Sequence, residues 1–259
     1  MKYQCLDVWI DESIAHVLLN TPANQNKFTA ELSQELLSFA RDIQERDDIK
    51  VILLGARGPN FSLGLNFQDE ANELDNDSYS AVALASSAIE EWARLPYPII
   101  AAINGHCTSL GLSLACIADI RFASENARFS IPEPAWGLVP AGGITQRLPR
   151  LIGKGPAMSV LLGGDLVEAS QALNLGLINK LFDEELIWPE ACNEAKRLAS
   201  MSTLSMQYTK ECLLRGSELP LEQALRLELD IYMLLQTSRD RMEGVHAFLE
   251  KRTPNFQGE

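Results

Sequence analysis

Two glycine-bearing junctions, GPNFSLGLNF at 58–67 and NGHCTSLG at 104–111, follow apolar runs and hold almost no side chains of obvious reactivity. If both runs are parallel strands, the junctions emerge at one sheet edge and their backbone amides can converge. Two converging N–H groups, one of them at a helix start, hold a developing oxyanion. A side-chain alternative lies in the same stretch. CTSLG resembles the G-x-S-x-G nucleophile elbow with Cys107 in the first glycine's place, and Asp183 and His246 follow Ser109 in the chain order of such a triad. A tight strand-to-helix turn, which needs small residues on both flanks of the serine, accounts for the pattern better. The other histidines, His16 and His106, fall in an expected strand and beside the turn. No two histidines have metal-ligand spacing, and no metal site is expected. Neither G-x-G-x-x-G nor G-x-x-x-x-G-K-[ST] occurs, so nucleotide chemistry of those types lacks support, and GKG at 153–155 reads as a helix-to-helix turn.

The elements that must position these junctions follow from periodicity. CLDVWI (5–10) and IAHVLL (14–19) flank Asp11-Glu12-Ser13 as a hairpin. A helix follows with Thr29 as N-cap and Leu32, Leu36, Phe39 and Ile43 on one face. VILLG (51–55) reads as a strand buried on both faces. A helix from about Ala81 to Arg94, the strand PIIAAI, a helix from about Leu110, and DIRFAS and ARFSI continue the alternation. Such alternation predicts a layered α/β core. After Gly137 come short helical pieces, a last strand LINKLF, and from about Pro189 a wholly helical remainder. Leu221, Leu225, Leu229, Tyr232, Met233 and Leu235 cover more than one helix face, as in a segment that packs on another subunit.

The chain has 259 residues, 46% hydrophobic and 22% charged, enough for a substantial core. Its net charge of −13 argues against nucleic-acid or anionic-membrane partners. Five scattered cysteines without a C-x-x-C pair fit neither a disulfide framework nor a zinc cluster, and a reduced, cytoplasmic setting is expected. Asp7, Asp11 and Glu12 stand where a secretory signal would need its apolar run. Tyr97–Ala118 lacks Asp, Glu, Lys and Arg, but Pro98 and Asn104-Gly105 interrupt it, so a buried strand, turn and helix are expected rather than a membrane span.

Four collinear motifs carry a family resemblance. FSLGLNF resembles the F-S-A-G-x-D-[LF] segment of the crotonase superfamily, the enoyl-CoA hydratases and isomerases. AAINGHCTSLGLSLACIADIRFAS resembles its A-x-x-N-G-x-x-x-G-G-G-x-E-[LF]-A-x-x-C-D-x-R-x-A-[ST]; FSIPEPAWGLVPAGGITQRLPRLIG and EGVHAFLEKRTPNF resemble its later segments. The resemblance implies a spiral of ββα units over residues 1–188 and a helical trimerisation region over 189–259, as a homotrimer or dimer of trimers. It implies an acyl-CoA thioester substrate, with coenzyme A as part of the substrate and no separate cofactor. The amides of Leu65, after Gly64, and Leu110 are the implied oxyanion donors, with Glu133 as acid/base. Coenzyme contacts are implied for Ala23, Asn26, Lys27, Gly64, Tyr232 and Lys251, the two lysines giving an acidic chain local cations.

The departures are as informative. Hydratases of the family commonly carry two glutamates; here Ser113 takes the first place and Glu133 the second. A neutral serine is no general base near pH 7, though it can orient a water or substrate. Double-bond isomerisation needs one carboxylate, and the single-glutamate pattern resembles mitochondrial-type enoyl-CoA isomerases, so isomerisation is favoured over hydration. Pro132, Pro134 and Trp136 are expected to hold Glu133 against an apolar wall. Ser109-Leu110 replaces a Gly-Gly pair, and Asn66 stands where Asp is common. These changes leave room for a non-catalytic coenzyme A-binding member or a serine hydrolase using Ser109.

Overall fold

The structure is a computed structural model that describes residues 3–44, 46–65 and 77–259. Strands β1 (Leu6–Asp11) and β2 (Ile14–Leu19) form the expected antiparallel hairpin, with Glu12 and Ser13 both at positive φ in its two-residue turn. Thr29 caps α1 (Ala30–Ile43), its Oγ1 accepting the Leu32 N–H at 3.2 Å, and the four expected apolar residues are buried. Helix α2 (Asp77–Ala93) starts four residues earlier than expected and packs on α1.

Strands β3 (Val51–Ala56) and β4 (Ile99–Ile103) run parallel to β2. Alternate residues explain their unbroken apolar runs: Ile52 and Leu54 join Leu36, Phe39 and Ile89 on one face, while Val51 and Leu53 join Ile187, Ala191 and Ala195 on the other. His106–Thr108, expected as a turn, forms β5, and α3 behind it spans only Leu110–Ala115. Strands β6 (Ile120–Ser124) and β7 (Arg128–Ser130) match DIRFAS and ARFSI. Helices α4 (Ile144–Ile152) and α5 (Lys154–Gly163), the unexpected β8 (Val167–Glu168), α6 (Ala169–Leu175) and β9 (Lys180–Phe182) follow. The main sheet has the order β1-β2-β3-β4-β6-β9, parallel after the hairpin; β5, β7 and β8 make a second, smaller sheet. Pieces as short as β5 and β8 carry no period to read and exist because β7 pairs with both.

Helix α7 (Ile187–Ala199) supplies the second cluster above, so the chain on both sides of residue 188 packs on the sheet. Helices α8 (Thr203–Gly216), α9 (Leu221–Leu235) and α10 (Arg239–Glu250) complete the chain. Residues 251–259 are not helical, which corrects the expectation of helix throughout: the Asp240 carboxylate accepts the Gln257 and Gly258 N–H groups and ties the tail down. Among the described residues no helix is long and apolar enough to cross a membrane.

Candidate active site

The two junctions are laced together from their own backbones. Asn26, at φ 51°, accepts the Thr21 N–H on Oδ1 at 2.8 Å and donates from Nδ2 to the carbonyls of Arg57 and Asn60 at 2.9 and 3.0 Å. Ser62 Oγ donates to the Asn26 carbonyl at 2.6 Å and accepts the Gly64 N–H at 3.0 Å. Across the gap, the Ser62 N–H donates to the His106 carbonyl and the Thr108 N–H to the Ser62 carbonyl, at 3.1 and 2.9 Å. Glycine is required where these strands touch. A Cβ on Gly64, at φ +75°, would lie 2.3 Å from Ser109 Cβ; one on Gly111 would lie 2.7 Å from Ser62 Cβ.

This lacing brings three groups to one buried point. The Leu65 N–H donates to Ser109 Oγ at 3.2 Å, and Ser109 Oγ donates to Glu133 Oε1 at 2.5 Å. The Leu110 N–H opens α3 beside them and donates to no acceptor among the described residues. Because α3 is six residues long, its contribution is that of the individual N–H groups rather than of a long helix dipole. Glu133, 1% exposed, begins a 3₁₀ turn over Glu133–Trp136 that closes at left-handed Gly137, whose N–H returns to the Pro134 carbonyl at 3.1 Å. Trp136, the last residue of the turn, is 48% exposed.

Ser113 is buried, and its hydroxyl donates to the Ala141 carbonyl at 2.9 Å rather than to Glu133. Gly142 packs against it: a Cβ there would stand 2.9 Å from Ser113 Cβ and 3.0 Å from Leu110 Cδ2. Arg147 holds this loop, donating to the Gly142 carbonyl at 3.1 Å and to Glu90 at 2.7 Å. Burial pushes the Cys107 thiol well up and Cys116 up to about 11, so neither sulfur beside the site is a thiolate near neutral pH.

The serine-hydrolase triad does not assemble. Asp183 and His246 are surface residues, whereas Ser109 is buried against Leu65 and Glu133. Of the expected coenzyme contacts, Ala23 is exposed in the 3₁₀ turn Pro22–Asn24, and half-buried Lys27 precedes Phe28, which bridges to Leu65. Asn26 is a buried strut whose amide is used by Thr21 in its own loop and by Arg57 and Asn60 across from it. Tyr232 on α9 and Lys251 at the end of α10 are exposed and hydrogen-bond to none of Leu65, Ser109 or Glu133. Asn66 lies outside the described residues. The contact that sequence reasoning missed is the one Ser109 makes with Glu133. Its only signal was a serine in a glycine's place. Among the described residues no cluster of His, Cys, Asp or Glu could hold a metal ion.

Parallel strands thus bring two glycine-bearing junctions and one buried carboxyl, Glu133, together at the edge of the sheet. The sequence comparisons give the family: a profile described as enoyl-CoA hydratase/isomerase matches residues 10–259, and the chain belongs to that family, within the crotonase superfamily. It is 34% identical to the 2,3-dehydroadipyl-CoA hydratase of Escherichia coli strain K12, over 93% of each chain. It is 30% identical to the crotonyl-CoA hydratase of Syntrophomonas wolfei, over 99% of each. The crystal structure of an enoyl-CoA hydratase from Bacillus anthracis superposes with a TM-score of 0.96 at 31% identity, covering 99% of this chain and all of the other.

Proposed function

We propose that the protein moves the double bond of an enoyl-CoA thioester from the β,γ to the α,β position, with Glu133 as its acid/base. One observation carries the reading: where a second glutamate would stand, Ser113 commits its hydroxyl to the Ala141 carbonyl, leaving Glu133 as the carboxylate joined to the oxyanion donors among the described residues. The Glu133 carboxylate takes the α proton, and the C–H electron pair forms an enolate whose charge moves to the thioester oxygen. The N–H groups of Leu65 and Leu110 hold that oxygen. Glu133 then returns the proton at the γ carbon as the enolate collapses, and the new double bond joins the α and β carbons. No other atom is gained or lost.

Coenzyme recognition falls to the segment containing Ala23 and Lys27, with Gly64 clearing the approach, and to Tyr232 and Lys251 from a neighbouring copy. The apolar residues exposed along α9 support a homotrimeric assembly, alone or doubled, in which those tail residues reach the next site. The acidic surface makes the lysines local attractors for an anionic coenzyme. Lys27→Glu is expected to raise KM at low salt and to have less effect at high salt, where screening weakens the attraction.

Hydration is the second reading, supported by the names of the two bacterial relatives. Water would then add to the β carbon while Glu133 takes its proton and delivers it to the α carbon. The test is to incubate Glu133→Gln and the native chain with both a β,γ-unsaturated and an α,β-unsaturated enoyl-CoA. Migration that Gln abolishes supports the first reading; hydroxyacyl product that Gln abolishes supports the second. Full turnover by Glu133→Gln would defeat both.

A further inference from the structure

The Ser109 hydroxyl stands between the two groups on which the proposed reaction depends. It donates to Glu133 Oε1 at 2.5 Å and accepts the Leu65 N–H at 3.2 Å. Helix capping does not explain this placement: Ser109 is the N-cap of α3, yet its side chain accepts no helix N–H. The backbone does not favour a side chain here either. At φ 56°, ψ −130°, Ser109 occupies a region that glycine enters freely and other residues enter under strain. Its Cβ and Oγ also lie over Gly64, which can carry no side chain of its own beneath them. A strained, fully buried serine that bonds both the oxyanion donor and the carboxyl is thus placed by the site rather than by the fold.

We propose that Ser109 is a positioning residue with two duties, given Glu133 as the acid/base: its O–H fixes the Glu133 carboxyl, and its oxygen holds the Leu65 N–H until the thioester oxygen replaces it. The O–H can donate to only one acceptor, and a carboxylate is the stronger one, so the donor bond to Glu133 survives when substrate arrives. The weaker contact, at 3.2 Å, is the one a thioester oxygen displaces. Substrate therefore competes with a group of the enzyme itself for one of its two oxyanion donors. Affinity is lowered by that competition while the carboxyl is kept aimed at the α carbon.

The two duties move binding and turnover in a combination that a merely structural serine would not. Ser109→Gly removes the hydroxyl together with the strained Cβ, so the variant is expected to fold with an unchanged or higher Tm. Calorimetric binding of butyryl-CoA, a saturated probe, should tighten severalfold, the worth of one displaced hydrogen bond. The kcat for β,γ-enoyl-CoA should fall about tenfold as Glu133 loses the hydrogen bond from Ser109, so kcat and Kd drop together. Ser109→Ala should show the same combination at lower Tm. Unchanged or weaker butyryl-CoA binding in the glycine variant overturns the competition; unchanged kcat overturns the positioning. Glu133→Gln run alongside separates the two claims. If Glu133→Gln is inactive and Ser109→Gly is indistinguishable from the native chain, only the role of Ser109 falls. If Glu133→Gln is fully active, the acid/base reading falls first.

Discussion

Glu133 is held by a turn that has little freedom to place it elsewhere. Pro132 and Pro134 restrict the backbone on both sides, and the Leu138 N–H closes on the Glu133 carbonyl at 3.1 Å. Glu133→Gln keeps the shape and removes the proposed base, so turnover is expected to fall by roughly 10²–10⁴-fold with little change in Tm, measurable by steady-state kinetics and a thermal melt. At this scale the motifs were informative about place: they single out Leu65, Leu110 and Glu133, and the fold brings Leu65 and Glu133 to either side of Ser109, next to Leu110. The link through Ser109 was not legible, because it depends on a side chain reaching a residue 24 positions away across a strained backbone.

The element that fixes the site is the pair of laced junctions. Gly64→Ala would drive a Cβ to 2.3 Å from Ser109 Cβ at a positive φ, and a loss of about 3 kcal/mol is expected, or roughly 6–12 °C in Tm for a chain of this size. Asn26→Ala removes the bonds to Thr21, Arg57 and Asn60 from a buried site and is expected to cost about 2–4 kcal/mol by urea unfolding. Its kcat should fall with its stability, since the lost side-chain bonds hold in place the Asn26 backbone carbonyl that accepts from Ser62 Oγ, which in turn accepts the Gly64 N–H. The hairpin makes a different prediction. His16 is 6% exposed, stacks on Trp9 at 4.7 Å, and has an Nδ1 without a hydrogen-bond partner among the described residues. Burial, opposed by nearby Asp11 and aided by Lys196, pulls its pKa below the ordinary 6.5. The unfolded chain therefore binds a proton that the folded one resists. This stability contribution is present above pH 6.5 and lost as the pH falls below it. Urea melts at pH 7.5 and 5.5 should show that loss in the native chain and less of it in His16→Phe. Long buried strands such as β3 and β4 were legible from composition; β5 and β8, two or three residues long, take their form from partners distant in sequence.

Over the whole molecule, the layered α/β core follows from the alternation of strands and helices and its spiral form from the family resemblance, whereas the apolar side chains left on α9 need something outside the chain. Leu221, Leu225, Leu229, Tyr232 and Met233 are all more than half exposed. Analytical ultracentrifugation is expected to give about three times the 28.6 kDa chain mass, or double that assembly, and Leu225→Glu with Leu229→Glu should shift it toward the monomer. The central claim, that one carboxylate moves a proton through an enolate held by two amides, is tested most directly by proton NMR of the native chain in deuterated buffer, with a β,γ-unsaturated enoyl-CoA in one sample and its α,β isomer in another. The account predicts appearance of the α,β-unsaturated thioester and loss of the α-proton signal intensity, without hydroxyacyl product. Hydroxyacyl product formed from the α,β-unsaturated thioester with no migration of the β,γ isomer would contradict it.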